Sequence, residues 1–98
     1  MKSIKRIQKI LALHKDELRQ RFKVKQIGIF GSYVKGRPKK RSDIDILIEF
    51  EQGGETFDNY MELKFFLEEL FNAKIDLVMR NVLREEIKDD ILSEIEYV

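Results

Sequence analysis

Residues 43–50 read DIDILIEF, an acid-studded run on which the fold turns. In an extended strand successive side chains alternate between faces. Ile44, Ile46, Ile48 and Phe50 therefore share one face, and Asp43, Asp45, Leu47 and Glu49 share the other. The first set is a core face, whereas the second begins with two carboxylates. Residues at i and i+2 lie roughly 6–7 Å apart along a strand, close enough for both carboxylates to converge on one ligand. Left unneutralised, they would repel and raise each other's pKa.

Outward from this strand, QIGIFG (residues 26–31) is a short β-branched and aromatic run ending in glycine. It reads as a second buried strand with Ile27 and Ile29 on one face and Phe30 on the other. Between the two strands stands KGRPKKRS (35–42), whose Gly36, Pro38 and five basic residues favour an exposed loop. Downstream, the glycine pair Gly53–Gly54 marks a turn, and Thr56 is placed to cap a helix carrying Phe57, Tyr60, Leu63, Leu67 and Leu70. Asn72 and Ala73 end that helix. KIDLVM (74–79) is the third strand, with Asp76 and Val78 on one face and Ile75, Leu77 and Met79 on the other.

Two further helices flank these elements. Ile4, Ile7, Leu11, Leu18 and Phe22 recur at helical spacing over about five turns, which predicts one continuous N-terminal helix with His14 on its stripe. Asn81 is placed to cap a last helix whose stripe, Leu83, Ile87, Ile91 and Ile95, is assigned to the core. The expected fold class is α/β (α+β): a three-stranded mixed sheet with helices packed on one face and the other open, in a single domain spanning residues 1–98. Tyr60, Phe65 and Phe66 together offer more aromatic surface than one small core absorbs, a sign of a partner interface.

Composition narrows the chemistry. The 98 residues hold 19 basic and 18 acidic side chains for a net charge of +1, which supplies no global attraction to nucleic acid or an anionic membrane. Direct nucleic-acid binding is not expected. With no cysteine and one histidine, thiolate sites, cysteine nucleophiles and His-rich metal sites are excluded, so any metal must be held by oxygen. No apolar run approaches the ~20 residues that span a bilayer, and a cytoplasmic location is expected.

Hard carboxylate oxygens in the arrangement of Asp43 and Asp45 suit Mg²⁺ or Mn²⁺. Asp76, an acid among apolar neighbours, calls for a partner that a second cation would supply. Upstream, Gly31 lets backbone approach a ligand closely, and the amides and hydroxyl at Ser32 suit phosphate oxygens. The basic loop beside them, with Lys35 and Arg37, is able to hold negative charge. Three carboxylates, a phosphate-binding turn and adjacent cations together describe two-metal phosphoryl-type transfer.

With those residues in view, FGSYVKGRPKKRSDIDILIEF followed by KIDLVM resembles the signature of the polymerase β-like nucleotidyltransferase superfamily: Gly-Ser, a spacer, Asp-x-Asp, then a distant third Asp. The likeness is to its small stand-alone members, the minimal nucleotidyltransferase (MNT) antitoxins paired with HEPN toxins, and it covers nearly the whole chain. It implies that Gly31 and Ser32 bind the triphosphate of ATP, that Asp43 and Asp45 hold both Mg²⁺ ions, and that Asp76 completes the metal site and helps deprotonate the acceptor hydroxyl. It also implies transfer of AMP to a tyrosine of a partner HEPN ribonuclease, which silences the toxin. The chain departs from the common Ala-Arg-Gly after the Gly-Ser turn, having Val34, Lys35 and Gly36; Lys35 keeps the charge and loses the bidentate fork of arginine. Two other readings share the fold: an antitoxin that acts by contact alone, and a subunit that modifies a small molecule or RNA ends.

Overall fold

The structure, a computed structural model, describes residues 3–36 and 43–98. Two short helices open the chain, α1 (Ile4–Leu13) and α2 (Lys15–Phe22), followed by strand β1 (Val24–Phe30), a single 3₁₀ turn (Gly31–Tyr33) and strand β2 (Ile44–Phe50). Helix α3 (Phe57–Phe71), strand β3 (Ile75–Met79), a second 3₁₀ turn (Arg80–Val82), helix α4 (Glu85–Glu94) and strand β4 (Glu96–Tyr97) complete it. The sheet order is β3-β2-β1-β4. β2 pairs with β3 in parallel, and β1 pairs with both β2 and β4 antiparallel, so the sheet is mixed as expected.

The alternation in DIDILIEF sets the layering. Ile44, Ile46 and Ile48 are fully buried, and they join Ile27 and Ile29 from β1 and Ile75 and Leu77 from β3 in one apolar layer. Against that layer pack Ile7 and Leu11 of α1, Leu18 and Phe22 of α2, and Leu63, Leu67 and Phe71 of α3. Fully burying such side chains contributes roughly 1.5–3 kcal/mol each, so this single layer dominates the stability of the fold. α3 is bounded as its sequence implies: the Thr56 hydroxyl accepts from the Asn59 N–H at 3.2 Å, and Asn72 closes the helix in the left-handed region at φ 48°.

Four details differ from expectation. The sheet has four strands, because Glu96–Tyr97 adds a two-residue edge strand too short to leave any alternation in the sequence. The N-terminal helix is broken at His14, whose N–H bonds the Leu11 carbonyl at 3.1 Å and whose Nδ1 donates to the Ile10 carbonyl at 2.8 Å. The stripe Ile7, Leu11, Leu18, Phe22 still faces the core across the break, so periodicity alone gives no sign of it. The last helix starts at Glu85, with Asn81 inside the preceding 3₁₀ turn and no side-chain cap; Glu85 and Glu86 in its first turn offset the exposed N–H groups instead. Nor is its stripe core: no residue of α4 is buried, Ile87 is 46% exposed, and Ile95 lies beyond the helix.

The face opposite α1, α2 and α3 carries the acids, and it is not open as expected. Phe30 and Leu47 are buried there, and Ile95 lies against Gly28, whose missing Cβ makes room for it. Of the aromatic residues on α3, Phe65 is 58% exposed, while Tyr60 donates its hydroxyl to the Leu77 carbonyl and ties α3 to β3. No helix of the described residues is long and apolar enough to cross a membrane.

Candidate active site

Strand register brings the site together. Asp45 on the central strand β2 is the direct partner of Phe30 at the end of β1 and of Asp76 on β3. The residue after Phe30 is Gly31, so the Gly31–Ser32 turn begins beside the Asp45 carboxylate. The Ser32 backbone N–H donates to that carboxylate. Gly31 has a backbone φ of +79°, and a Cβ built on it would stand 2.0 Å from Asp45 Oδ2. Glycine is therefore required twice over, for the left-handed backbone and for the space that Asp45 occupies.

The three acids differ in surroundings. Asp43 and Asp76 are exposed, and Asp45 is half-buried between them. The Asp45 carboxyl is pushed up to about 6, first by burial, then by the charge of Asp76 and a side-chain hydrogen bond with it, and then by the charge of Asp43; the Ser32 N–H pulls the other way. Burial and the charge of Asp76, across the strand pair, outweigh that of Asp43, the neighbour to which the i, i+2 spacing pointed. On the far side of β3, the Tyr60 hydroxyl is also raised, by burial and then by the charge of Asp76.

No group of three or more acidic, histidine or cysteine side chains among the described residues is gathered tightly enough to enclose a metal as it stands. The donor set nevertheless fits a hard divalent cation. Asp45 and Asp76 face each other across one strand pair, both supply oxygen, and their mutual repulsion is the unfavourable term that a cation would reverse. Of the cationic residues expected to bind phosphate, Lys35 stands one turn after Gly31, with its N–H bonded to the Gly31 carbonyl at 3.1 Å. Arg37 lies outside the described residues. Tyr33 is buried in the core and His14 contacts Phe66 edge-on, both as packing residues.

One participant was not legible in the sequence. Glu94, 63 residues from Gly31, accepts a hydrogen bond from the Gly31 N–H at 3.1 Å and pairs with Lys35 at 3.5 Å. No spacing rule reaches that far, and only the β1–β4 pairing brings it here. A groove of about 570 Å³ on the helical layer, lined by Arg21, Glu62, Phe65 and Phe66, lies across the sheet from the acids and takes no part in the site.

Comparison with known proteins shows the family. Residues 11–98 match the nucleotidyltransferase domain model. The chain belongs to that family. The protein adenylyltransferase MntA of Thermococcus cleftensis is 44% identical over 98 residues, which cover 100% of this chain and 98% of the relative. A solved structure assigned as a minimal nucleotidyltransferase superposes with a TM-score of 0.76 at 26% identity, covering 97% of this chain and 95% of the other. A toxin–antitoxin structure with AMP-PNP superposes with a TM-score of 0.70 at 25% identity, over 91% of this chain and 68% of the other. The enzyme class and fold read from DIDILIEF and the Gly-Ser turn are therefore those of the nucleotidyltransferases, and the protein adenylyltransferases are its relatives.

Proposed function

We propose that this enzyme transfers AMP from ATP to a hydroxyl, that of a tyrosine on a HEPN-domain toxin, and so acts as the antitoxin of the pair. The observation that carries the reading is the abutment of the Gly31–Ser32 turn on Asp45, with Asp76 directly across the strand pair. A phosphate grip and an acid cluster within one side chain of each other are what transfer at a nucleotide's α-phosphate requires. Support for a protein acceptor comes from the adenylyltransferase relative, and support for a toxin partner from the toxin–antitoxin assembly with AMP-PNP.

Asp43, Asp45 and Asp76 are the residues that would hold Mg²⁺, two ions in all, with Mn²⁺ as a substitute. Bound there, the cations would supply charge neutralisation for the phosphates and the departing pyrophosphate. The chain's own groups supply the rest. Gly31 and Ser32 align the triphosphate, Lys35 and Arg37 offset its charge, and Asp76, more exposed than Asp45, accepts the proton of the incoming hydroxyl. The hydroxyl oxygen then forms a bond to the α-phosphorus as the bond to the bridging oxygen breaks, releasing pyrophosphate.

The test is to incubate the purified chain with α-labelled ATP, Mg²⁺ and the toxin encoded by its genomic neighbour. Label on the toxin is expected, and its loss on mutation of the acceptor tyrosine identifies the site. A toxin that is silenced without acquiring label would instead establish neutralisation by contact.

A further inference from the structure

Two of the groups read as the phosphate grip, the Gly31 amide and the Lys35 ammonium, are already engaged by one carboxylate. Glu94 Oε1 accepts from the Gly31 N–H at 3.1 Å, and Glu94 Oε2 lies 3.5 Å from Lys35 Nζ. Two oxygens of one anion thus bridge a backbone amide and an ammonium, the same demand a phosphate makes of the same groups. The Gly31 amide has a single hydrogen and cannot serve both occupants fully.

Glu94 arrives on an anchored segment. Ile95 fills the space beside Gly28, where a Cβ would come within 2.9 Å of Ile95 Cγ1. Glu96 and Tyr97 pair with Ile29 and Gly28, and the Val98 N–H bonds the Ile27 carbonyl at 3.0 Å. The local helix offers the carboxylate nothing. Glu94 is the last residue of α4, where the helix dipole disfavours negative charge, and no basic residue stands in that last turn. Its partners are across the chain, and its side chain is 23% exposed against 61% for Lys35.

Resting on the reading of Gly31, Ser32 and Lys35 as the triphosphate grip, we propose that Glu94 determines nucleotide affinity by competing with the triphosphate for Gly31 and Lys35. ATP must displace the carboxylate to bind. The residue is neither a metal ligand nor a proton acceptor in this scheme; it sets the threshold concentration at which the nucleotide takes the turn.

The full chain, wild type, Glu94→Gln and Glu94→Ala, is titrated calorimetrically with AMP-PNP and separately with inorganic tripolyphosphate, both with Mg²⁺, and KM and kcat for ATP are measured. Glu94→Ala should bind both ligands roughly 5–10-fold more tightly, the scale of one hydrogen bond to a charged acceptor shared with an exposed ion pair. Glu94→Gln should gain less, because its amide oxygen still accepts from Gly31 while releasing Lys35. The kinetic effect should fall on KM more than on kcat. Tripolyphosphate isolates the phosphate end from any contact with the base. If both variants bind as wild type does, or more weakly, Glu94 supports the grip and the inference is wrong while the nucleotide site stands. If none of the three proteins binds either ligand, the assignment of the grip fails and the inference fails with it. Should Glu94→Ala unfold, Glu94→Gln alone decides by the same criterion.

Discussion

The two faces of β2 share one backbone and opposite fates. Ile44, Ile46 and Ile48 are fully buried beneath α1, α2 and α3, in a layer with no buried charge among the described residues. Asp45, set between Ile44 and Ile46, is half-buried, repelled by Asp43 and Asp76, and pushed up to about 6. One face is arranged to lower the free energy of the fold, and the other raises it locally. The second face is carried by the first, whose continuous apolar layer supplies most of the burial that offsets the clustered acids.

The sharpest way to break that comparison is to exchange the roles of the faces by mutation. If the proposed cation ligands are these acids, Asp43→Asn and Asp45→Asn should each lower AMP transfer by roughly 10³-fold or more while leaving the fold intact. Ile46→Ala should do the reverse. It is expected to cost about 2–5 kcal/mol in urea unfolding while activity per folded molecule stays near wild type. An Asp45→Asn enzyme that retains full Mg²⁺-dependent transfer would remove the acids from the site. An Ile46→Ala variant as stable as wild type would show that the layer is not the main support.

The turn where the faces meet is more delicate than either. Gly31→Ala asks a residue with a side chain to adopt φ +79° and to place its Cβ 2.0 Å from Asp45 Oδ2. The backbone strain alone is on the order of 1–3 kcal/mol. Displacing Asp45 by about 1 Å should lower transfer by roughly 10²-fold. Stability and activity should therefore fall together, unlike in either face mutant, and unfolding and transfer assays on one preparation separate the three patterns. A Gly31→Ala enzyme with normal turnover would mean that Asp45 and the turn are not coupled.

These features differ in how far the sequence foretold them. The alternation of DIDILIEF and the acid in KIDLVM were legible because a strand's period of two is written into consecutive residues, and the Thr56 and Asn72 caps because capping is local. Gly31, Asp45 and Asp76 were legible as a motif, but the reason that position 31 must be glycine is a tertiary contact. The break at His14 was invisible, since the apolar stripe runs unbroken through it. β4 was too short to show a period, and without β4 nothing in the sequence brings Glu94 to Gly31.

The gentlest probe of the contrast is pH. An aspartate in the unfolded chain titrates near 3.9, and Asp45 in the fold titrates at about 6. Between those values the folded protein binds more protons than the unfolded one, so stability from this group is fully present below about pH 4 and is lost as pH rises towards 6. Asp45→Asn removes that dependence. The variant should exceed wild type in stability at pH 7 by on the order of 1 kcal/mol, the discount reflecting solvent screening of a half-exposed group, and the two should converge at pH 4. Thermal unfolding of the pair across pH 4–8 reads the difference, together with any change in the titration of Asp43 and Asp76 that follows from losing the Asp45 charge. Mg²⁺ favours the ionised carboxyl and should stabilise wild type at pH 7 while leaving the variant nearly unchanged. A gap between the two proteins that stays constant with pH would mean that the acids on the open face carry no mutual repulsion, and the contrast between the two sides of β2 would be one of shape alone.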